Sequence, residues 1–379
     1  MLHLAGQYPL GGIGWQAIHH VVGLARLGHD VYYVEDSGAP PYDPRIKSVV
    51  VDHSYGIDFL RRAMEGVGLG DRWAYVDVAS STYHGLSRDA VARLYREADA
   101  LVNVCAPTRL REEHMTCPVR IYLQTDPCHD QILAAQGVSG TLRALEDHTH
   151  HFTYGENLGA PECPIPLVKF RWQPTRPPVV LDLWPVAADP GAARFTTVAT
   201  WHNVGKDVEW DGVSYEWSKH GNFLRMIDLP RRVTQPLELA LESDDPGAPP
   251  RLREHGWLVT DAFAASADLD GYRDFVAGSR GEFTVAKDLV VRTRCGWFSD
   301  RSACYLASGR PVVTQDTAFG KFVPTGEGLF AFSEIEEAAA AIDEINRDYA
   351  RHSAAARRIA VEHFDAAKVL GALCRAAGL

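Results

Sequence analysis

The chain has 379 residues, which exceeds the usual size of one domain and favours two domains. Hydrophobic residues make up 46% and charged residues 23%, a composition typical of folded globular proteins and not of disordered or fibrous chains. The 38 basic residues are outnumbered by 49 acidic ones. The resulting net charge of -11 argues against nucleic acid or an anionic membrane as a general partner.

The composition also argues against a secreted, membrane or metal protein. The first residues carry no Lys or Arg, and no stretch reaches the roughly 18 apolar residues of a membrane span, so we expect a cytoplasmic protein without a signal peptide. Seven cysteines without a C-x-x-C pair predict neither a disulfide framework nor a zinc site. His148, His150 and His151 lack a carboxylate or cysteine at ligand spacing, so no metal is predicted there.

The first half of the chain alternates strand and helix patterns. Residues 2–5 are apolar and are followed by a glycine-rich loop and then by a helix with one apolar stripe. Residues 29–36 predict a second strand that ends in Glu35 and Asp36. Further strands are predicted at residues 100–105, 120–124 and 151–155. This alternation indicates a doubly wound parallel sheet.

A proline cluster between residues 172 and 191 obstructs both helix and central strand and predicts a domain boundary. We predict a first domain at 1–172, a linker at 173–191 and a second domain at 192–351. Strands of the second domain are predicted at 195–200, 257–260, 282–285 and 311–314. A capping box of Ser333 and Glu336 predicts a later helix, and a final helix is predicted from about His352 to Ala377.

Residues 296–313 (GWFSDRSACYLASGRPVV) carry a family resemblance. Their last part, ASGRPVV, resembles the loop-helix-Gly-x-Pro-Val-Val element of the GT-B glycosyltransferases, and the closing helices are also similar to that family. The resemblance implies two tandem Rossmann-like domains facing a cleft, with residues 352–379 crossing back to the first domain. It further implies a hexosyltransferase-like enzyme that moves a sugar from a nucleoside-diphosphate sugar to an unidentified acceptor.

The predicted donor site surrounds the helix within this run. Free N–H groups at a helix N-terminus, with the macrodipole, favour a diphosphate. We expect Ser302 to cap the helix, Gly309 to end it and Arg301 to bind phosphate oxygens. Asp300 is the candidate for ribose hydroxyls, since a carboxylate accepts two hydrogen bonds. The other predicted donor contacts are Lys206, Lys219, Ser299 and Thr317, with Lys206 the better match to the family's basic residue.

The first domain is predicted to supply the acceptor side and the catalytic base. Asp126 follows a predicted strand and is the preferred base, with His20 on the first helix as the second candidate. The loop glycines Gly11, Gly12 and Gly14 would let the acceptor approach the backbone closely.

Stereochemistry and metal use follow from how the chain compares with the family. The glutamate pair of many retaining members falls on Gly296 and Cys304, so a retaining mechanism is not inferred. The resemblance implies neither a metal nor a bound cofactor, because helix dipoles and basic side chains usually serve these sites.

Three alternatives remain open at the level of the sequence. The same fold serves non-hydrolysing sugar-nucleotide epimerases, and an inert sugar-nucleotide-binding homologue would look alike. An NAD-dependent Rossmann enzyme is suggested by Gly12, Gly14 and Ala17 at G-x-G-x-x-A spacing, with Glu35 or Asp36 about 20 residues later. The sequence does not identify the sugar, the base, the acceptor or the oligomeric state.

Overall fold

The computed structural model describes residues 1–186, 191–203 and 205–379. Residues 187–190 of the predicted linker, among them Pro190, and Val204 in the predicted Lys206 loop lie outside the described residues.

The strands of the described chain are β1 (Tyr33–Glu35), β2 (Tyr42–Asp43), β3 (Ser48–Val49), β4 (Trp73–Asp77), β5 (Thr82–Gly85), β6 (Ala100–Val104), β7 (Val119–Gln124), β8 (His150–Thr153), β9 (Trp172–Pro174), β10 (Phe195–Thr200), β11 (Val208–Trp210), β12 (Val213–Tyr215), β13 (Leu237–Glu242), β14 (Leu258–Asp261), β15 (Gly281–Thr284), β16 (Val312–Gln315) and β17 (Leu329–Phe332). The α-helices are α1 (Gly11–Arg26), α2 (Ser54–Gly66), α3 (Arg88–Glu97), α4 (Glu112–Met115), α5 (His129–Ala135), α6 (Ser139–Glu146), α7 (His220–Arg225), α8 (Ala248–Glu254), α9 (Leu269–Ala277), α10 (Asp288–Arg292), α11 (Asp300–Ala307), α12 (Ile335–Arg347), α13 (Tyr349–Ile359) and α14 (Ala366–Ala377).

The first sheet is centred on Leu2, which forms parallel bridges to Val34 of β1 and Asn103 of β6. The spatial order is therefore β5-β4-β1-Leu2-β6-β7-β8-β9, parallel throughout except for the β4–β5 pair. The strand predicted at residues 2–5 is reduced to this bridge. Beyond Leu2 the backbone bonds to side chains, since Ala5 N–H donates to Tyr33 Oη and Gly6 N–H donates to Glu35.

The second sheet is parallel, with the order β14-β13-β10-β15-β16-β17. In chain order this is 3-2-1-4-5-6, the doubly wound arrangement. The predicted fold class, two Rossmann-like α/β sheets, is confirmed. The sequence analysis did not identify β13, which lies between β10 and β14 and is almost entirely buried.

The end of the chain packs on the first domain through α1 and α14. A Cβ on Gly23 of α1 would lie 2.5 Å from Leu370 Cδ1 and 3.0 Å from Ala366 Cβ, so the two helices are in close contact. The predicted single helix is wrong, because α13 is followed by a π-helical turn over Ala360–Phe364 before α14 begins. The break has a tertiary cause: Val179 N–H donates to Phe364 O at 2.6 Å, and Ala366 N–H donates to Val179 O at 2.9 Å.

The predicted capping box is wrong by one residue. Helix α12 has Glu334 as its N-cap, and the Glu337 carboxylate accepts from the N–H groups of Ser333 and Glu334 at 2.7 and 3.1 Å. Glu336 instead forms an exposed ion pair with Arg232 at 2.6 Å.

The predicted glycine loop is wrong, because Gly11, Gly12 and Gly14 lie in the first turn of α1, where they pack the two domains together. A Cβ on Gly11 would lie 2.4 Å from Asp268 O and 2.5 Å from Tyr272 Cβ, at the start of α9 in the second domain. Gly14 is similarly close to Leu269, whose carbonyl accepts from Trp15 Nε1 at 2.8 Å. At Gly11 and Gly14 the missing side chain thus permits contact between α1 and α9.

This packing predicts different effects for two neighbouring glycines. Gly11→Ala is expected to lower the free energy of unfolding by about 1–3 kcal/mol, because the new methyl overlaps the Asp268 backbone. Gly12→Ala is the matched control, since its Cβ meets the Tyr272 ring at an ordinary 3.4 Å. Urea denaturation of both variants tests the prediction, and equal stabilities would contradict it.

Candidate functional site

The carboxyl edges of the two sheets meet at an ion pair. Asp126 follows β7 of the first sheet, and Lys287 follows β15 of the second. Lys287 Nζ lies 2.7 Å from Asp126 Oδ1. Beside this pair, Trp297 Nε1 donates to Thr125 O at 2.9 Å. The structure thus places Asp126 where the two domains meet.

The pairing determines the charge state of Asp126. Burial raises the pKa of this carboxyl, but the charge and hydrogen bond of Lys287 and the charges of Lys206 and Lys219 outweigh it, so the pKa lies below its usual value. Asp126 is therefore ionised at neutral pH and engaged by Lys287. Lys287 was not predicted as a site residue, because no local sequence pattern connects residues that lie far apart along the chain.

A cluster of lysines faces this carboxylate. Lys219 precedes α7 and is only 8% exposed, yet its Nζ has no hydrogen-bond or ion-pair partner among the described residues. Burial, then the charges of Arg301 and Lys287, hold the pKa of Lys219 well below its ordinary value. Lys287 Nζ and Lys206 Nζ lie 3.9 and 5.3 Å from the ring centroid of Trp217. The cleft therefore carries an excess of positive charge suited to an anion.

The N-terminus of α11 belongs to the same region. Its N-cap is Ser299, which makes no side-chain capping bond. The predicted cap, Ser302, is wrong: this residue lies inside the helix, fully buried, and its Oγ has no hydrogen-bond partner in the described chain. Gly309, with φ of +68°, follows the helix as predicted.

Arg301 is held by the second sheet. Its Nε donates to the buried Glu282 carboxylate at 2.5 Å, Nη1 donates to Val198 O and Nη2 donates to Thr284 Oγ1, each at 2.8 Å. Thr317, another predicted donor contact, is buried and donates to Trp297 O at 2.5 Å. Both side chains are thus occupied in fixing the ends of strands and loops around the cleft.

Asp300 connects the start of α11 to the first domain. Its Oδ2 accepts from Gln16 Nε2 at 3.0 Å, and Gln16 Oε1 accepts from the Cys105 thiol at 3.1 Å. Burial, opposed by the Gln16 bond but reinforced by the charge of Asp126, raises the pKa of Asp300 to about 7. The buried Tyr154 lies beside Asp300, and burial and then the charge of Asp300 raise the pKa of its hydroxyl.

His20 lies in the interior of the first domain and is 1% exposed. Its Nδ1 is 2.8 Å from Gln16 O, and Nε2 has no hydrogen-bond partner in the described chain. Burial lowers the pKa of His20 to about 4, so the ring is neutral at pH 7. The burial separates His20 from any bound substrate.

The acidic residues of the NAD alternative are engaged within the first domain. Glu35 accepts from the N–H groups of Gly6 and Gln7 at 2.5 and 2.9 Å, and burial raises its pKa to about 7. Asp36 binds Tyr95, Thr108, Arg111 and His114. With the loop glycines packed on α9, this arrangement disfavours a dinucleotide site.

The described part of the chain shows neither a cluster of metal-ligating side chains nor a membrane-spanning helix. Across residues 1–186, 191–203 and 205–379, no three His, Cys, Asp or Glu side chains are grouped so that they could hold a metal ion. Within the same ranges, the helices are all too short or too polar to cross a membrane.

The chain is similar in structure to several solved glycosyltransferases. An alpha-glucosyltransferase in complex with UDP aligns with a TM-score of 0.59 at 12% identity, covering 100% of this chain and 98% of the other. HepE from Anabaena, in complex with UDP and glucose, aligns at 0.51 and 13%, covering 96% and 95%. Sucrose-phosphate synthase from Thermosynechococcus elongatus aligns at 0.54 and 12%, covering 94% and 91%.

No protein-family model and no curated protein sequence matches the chain. The structural similarity confirms the predicted GT-B architecture, with two Rossmann-like domains facing a cleft.

The raised pKa of Asp300 predicts a pH-dependent stability. An unfolded Asp ionises near pH 4 and folded Asp300 near pH 7, so the unfolded chain releases this proton first and stability falls as pH rises between those values. Asp300→Asn is expected to be more stable than the parent by about 1–2 kcal/mol at pH 8 and equal near pH 4.

Urea denaturation at both pH values measures this difference. Asp343→Asn, which removes an exposed carboxylate on α12, is the control and should show no pH-dependent gain. A gain for Asp300→Asn that is the same at pH 4 and pH 8 would contradict the assigned pKa.

Proposed function

Because the chain has the GT-B fold, we propose that it is a glycosyltransferase that binds a nucleoside-diphosphate sugar in the cleft between its domains. The observation that carries this proposal is Lys219, a buried lysine without a partner beside Lys287 and Arg301. Asp126 and Glu282 act on Lys219 through their charge but form no ion pair with it, and the pKa of Lys219 stays well below its ordinary value, so a bound anion would stabilise its charged form.

The diphosphate fits this region for two further reasons. The first N–H groups of α11 have no intrahelical partner, and the helix dipole adds positive potential at the same end. Asp126 pairs with Lys287, whereas Lys206 and Lys219 interact with it only at longer range and form no ion pair among the described residues. UDP is the donor nucleotide to test first, since two of the three similar structures named above contain UDP.

We assign the predicted donor residues to two roles. Lys206, Lys219 and Lys287 provide the positive charge that neutralises the leaving diphosphate without a metal ion, and Ser299 presents the start of α11. We assign positioning roles to Arg301, Ser302 and Thr317. Arg301 and Thr317 are hydrogen-bonded within the second domain, and Ser302 is fully buried inside α11.

We assign Asp300 as the base that accepts the proton of the acceptor hydroxyl. Asp126, the base preferred from sequence, is ionised and engaged by Lys287, which weakens it as a proton acceptor. Asp300 lies in the same cleft, and its pKa of about 7 suits proton transfer at neutral pH. His20 is too deeply buried to serve. Gly11, Gly12 and Gly14 would then position α1 and Gln16 beside Asp300, and not contact the acceptor directly.

Lys219→Met is expected to weaken UDP binding by tenfold or more, as loss of a charged hydrogen bond of about 1.5–3 kcal/mol implies. Isothermal titration calorimetry measures this change. Lys169→Met removes the same charge from an exposed position paired with Glu146 and should leave affinity unchanged. Uridine, which has no diphosphate, should bind both variants and the parent alike, and equal UDP affinity in all three proteins would refute the site.

Asp300→Asn is expected to lower turnover about 100-fold while keeping UDP affinity, which is the usual weight of acid–base catalysis. Asp126→Asn should reduce turnover less and should tighten UDP binding, because it removes a negative charge beside Lys287, Lys206 and Lys219. The measurement is UDP release from a UDP-hexose. A larger turnover loss in Asp126→Asn with unchanged UDP affinity would return the base to Asp126.

Product analysis tests the proposed reaction against its alternatives. A glycosyltransferase releases free nucleotide and a glycosylated product from a panel of sugar nucleotides. An epimerase would return an isomerised sugar nucleotide, and an inert homologue would bind without turnover.

A further inference from the structure

Trp217 is a buried residue on which two of the cleft lysines meet. It follows the hairpin of β11 and β12 and is only 6% exposed. The ammonium nitrogen of Lys287 lies 3.9 Å from the centroid of its ring, and that of Lys206 lies 5.3 Å from the same centroid. The donor residues assigned above do not include this indole, although it contacts two of them.

The backbone around Trp217 joins the loops that carry the lysines. Trp217 N–H donates to Asp207 Oδ1 at 2.7 Å, and Glu216 N–H donates to Asp288 Oδ2 at 3.1 Å. Each of these aspartates directly follows one of the two lysines over the ring, and Lys219 comes two residues after Trp217. One short segment therefore fixes the chain next to all three ammonium groups.

The two ammonium groups over the ring repel each other. Burial lowers the pKa of Lys287, the pair with Asp126 opposes this shift, and the charge of Lys206 adds to it. Asp126 compensates Lys287, but Lys206 forms no ion pair in the described part of the chain. The face of an indole is negative and attracts an ammonium within about 6 Å, most strongly in a site shielded from water. Trp217 therefore supplies an attraction that keeps the second lysine beside the first.

Both domains fix the orientation of the ring. The ring of His129, at the start of α5 in the first domain, lies 5.2 Å from that of Trp217 between centroids, at an angle of 68°. In the second domain, Trp217 shares an apolar cluster with Ala286 and Leu289, which flank the loop of Lys287. Ammonium groups held on a fixed ring are arranged before a ligand arrives, and such preorganisation lowers the entropic cost of binding.

We propose that Trp217 is a positioning residue for the donor, whose indole face holds the ammonium groups of Lys206 and Lys287 together so that both bind one diphosphate. The inference rests on the proposed function. An ammonium can contact the ring on one side and a phosphate oxygen on the other, so the ring stays a partner of the lysines when the anion binds. A ring with a less negative face would hold the lysines less firmly and weaken binding of the diphosphate, but not of the nucleoside.

The first test changes the negative face of the ring and leaves its shape nearly unchanged. Tryptophan with one, two or three ring fluorines is incorporated at position 217, and isothermal titration calorimetry measures the affinity for UDP and for inorganic pyrophosphate. Fluorine withdraws electron density from the ring, so both affinities are expected to fall stepwise, by about threefold or more in the trifluorinated protein. Uridine, which has no phosphate, should bind all of these proteins alike.

Trp257 provides the matched control for fluorination. It is buried in the core of the second domain, and its ring packs against Phe223 and Phe283. No cation lies over this ring in the described part of the chain. The same fluorinated residues at position 257 should leave the UDP affinity unchanged.

The second test measures where the lysine lies. Protons held over an indole face are shifted upfield, so the side-chain protons of Lys287 should show this shift in lysine-labelled NMR spectra, with Lys287→Arg used to assign them. Trp217→Leu should abolish the shift and weaken UDP binding by about tenfold or more, whereas Trp217→Phe keeps an aromatic face and should lose less affinity. An upfield shift that persists in Trp217→Leu would overturn the inference.

The outcomes separate this inference from the proposed function. If the parent binds UDP and fluorination at Trp217 leaves the affinity unchanged or raises it, the positioning role is refuted and the donor site stands. Equal losses of UDP and uridine affinity would also refute the role, since they indicate general damage to the fold. A parent that binds neither UDP nor pyrophosphate would refute the proposed donor site and, with it, the role of Trp217.

Discussion

The arrangement of the cleft depends on an imbalance of charge between its two walls. The first domain contributes the carboxylate of Asp126, and the second domain contributes Lys206, Lys219 and Lys287 around it. The chain as a whole is acidic, so this concentration of lysines is local and not a consequence of composition. Lys219 is buried without an ion-pair partner in the described chain, and burial lowers its pKa, so the proposed diphosphate would stabilise its charged form.

Because of this imbalance, the two cleft aspartates lie in different electrostatic environments. Asp126 lies against Lys287, and its proton is easily lost. Asp300 accepts a bond from neutral Gln16 and feels the charge of Asp126, so its proton is retained to about pH 7. The pKa values of two carboxyl groups in one cleft are thus shifted in opposite directions, which is the property on which their proposed roles rest.

The close packing of the domains fixes the positions of Asp126 and Asp300 relative to each other. Helix α1 contacts α9 through Gly11 and Gly14, and α14 returns to cover α1 at Gly23. The same helix α1 carries Gln16, which meets Asp300 across the cleft. A change in domain packing would therefore alter the polar contacts of the site directly, because the same helix makes both sets of contacts.

Local sequence patterns determined much of the architecture. Apolar runs predicted the parallel strands, and amphipathic stripes predicted the helices between them. Gly309 follows α11 because the residue after a helix often takes a left-handed conformation, which glycine adopts easily. Asp126 was placed at the cleft from its position after a strand alone. The family resemblance added the two-domain arrangement, which periodicity by itself does not specify.

Tertiary contacts decided what those patterns could not. The segment LELALE of β13 consists of good helix formers but extends because it is paired on both sides, by β10 and β14. Ser302 is buried instead of capping, and Val179 interrupts the last helix. Lys287 and Asp126 lie far apart in the chain and come together only in the folded protein. Helix and turn signals act over a few residues, whereas the partner of a buried charge depends on elements that are far apart in the chain. The sequence therefore indicated where the site lies, and the fold determined which side chains form it.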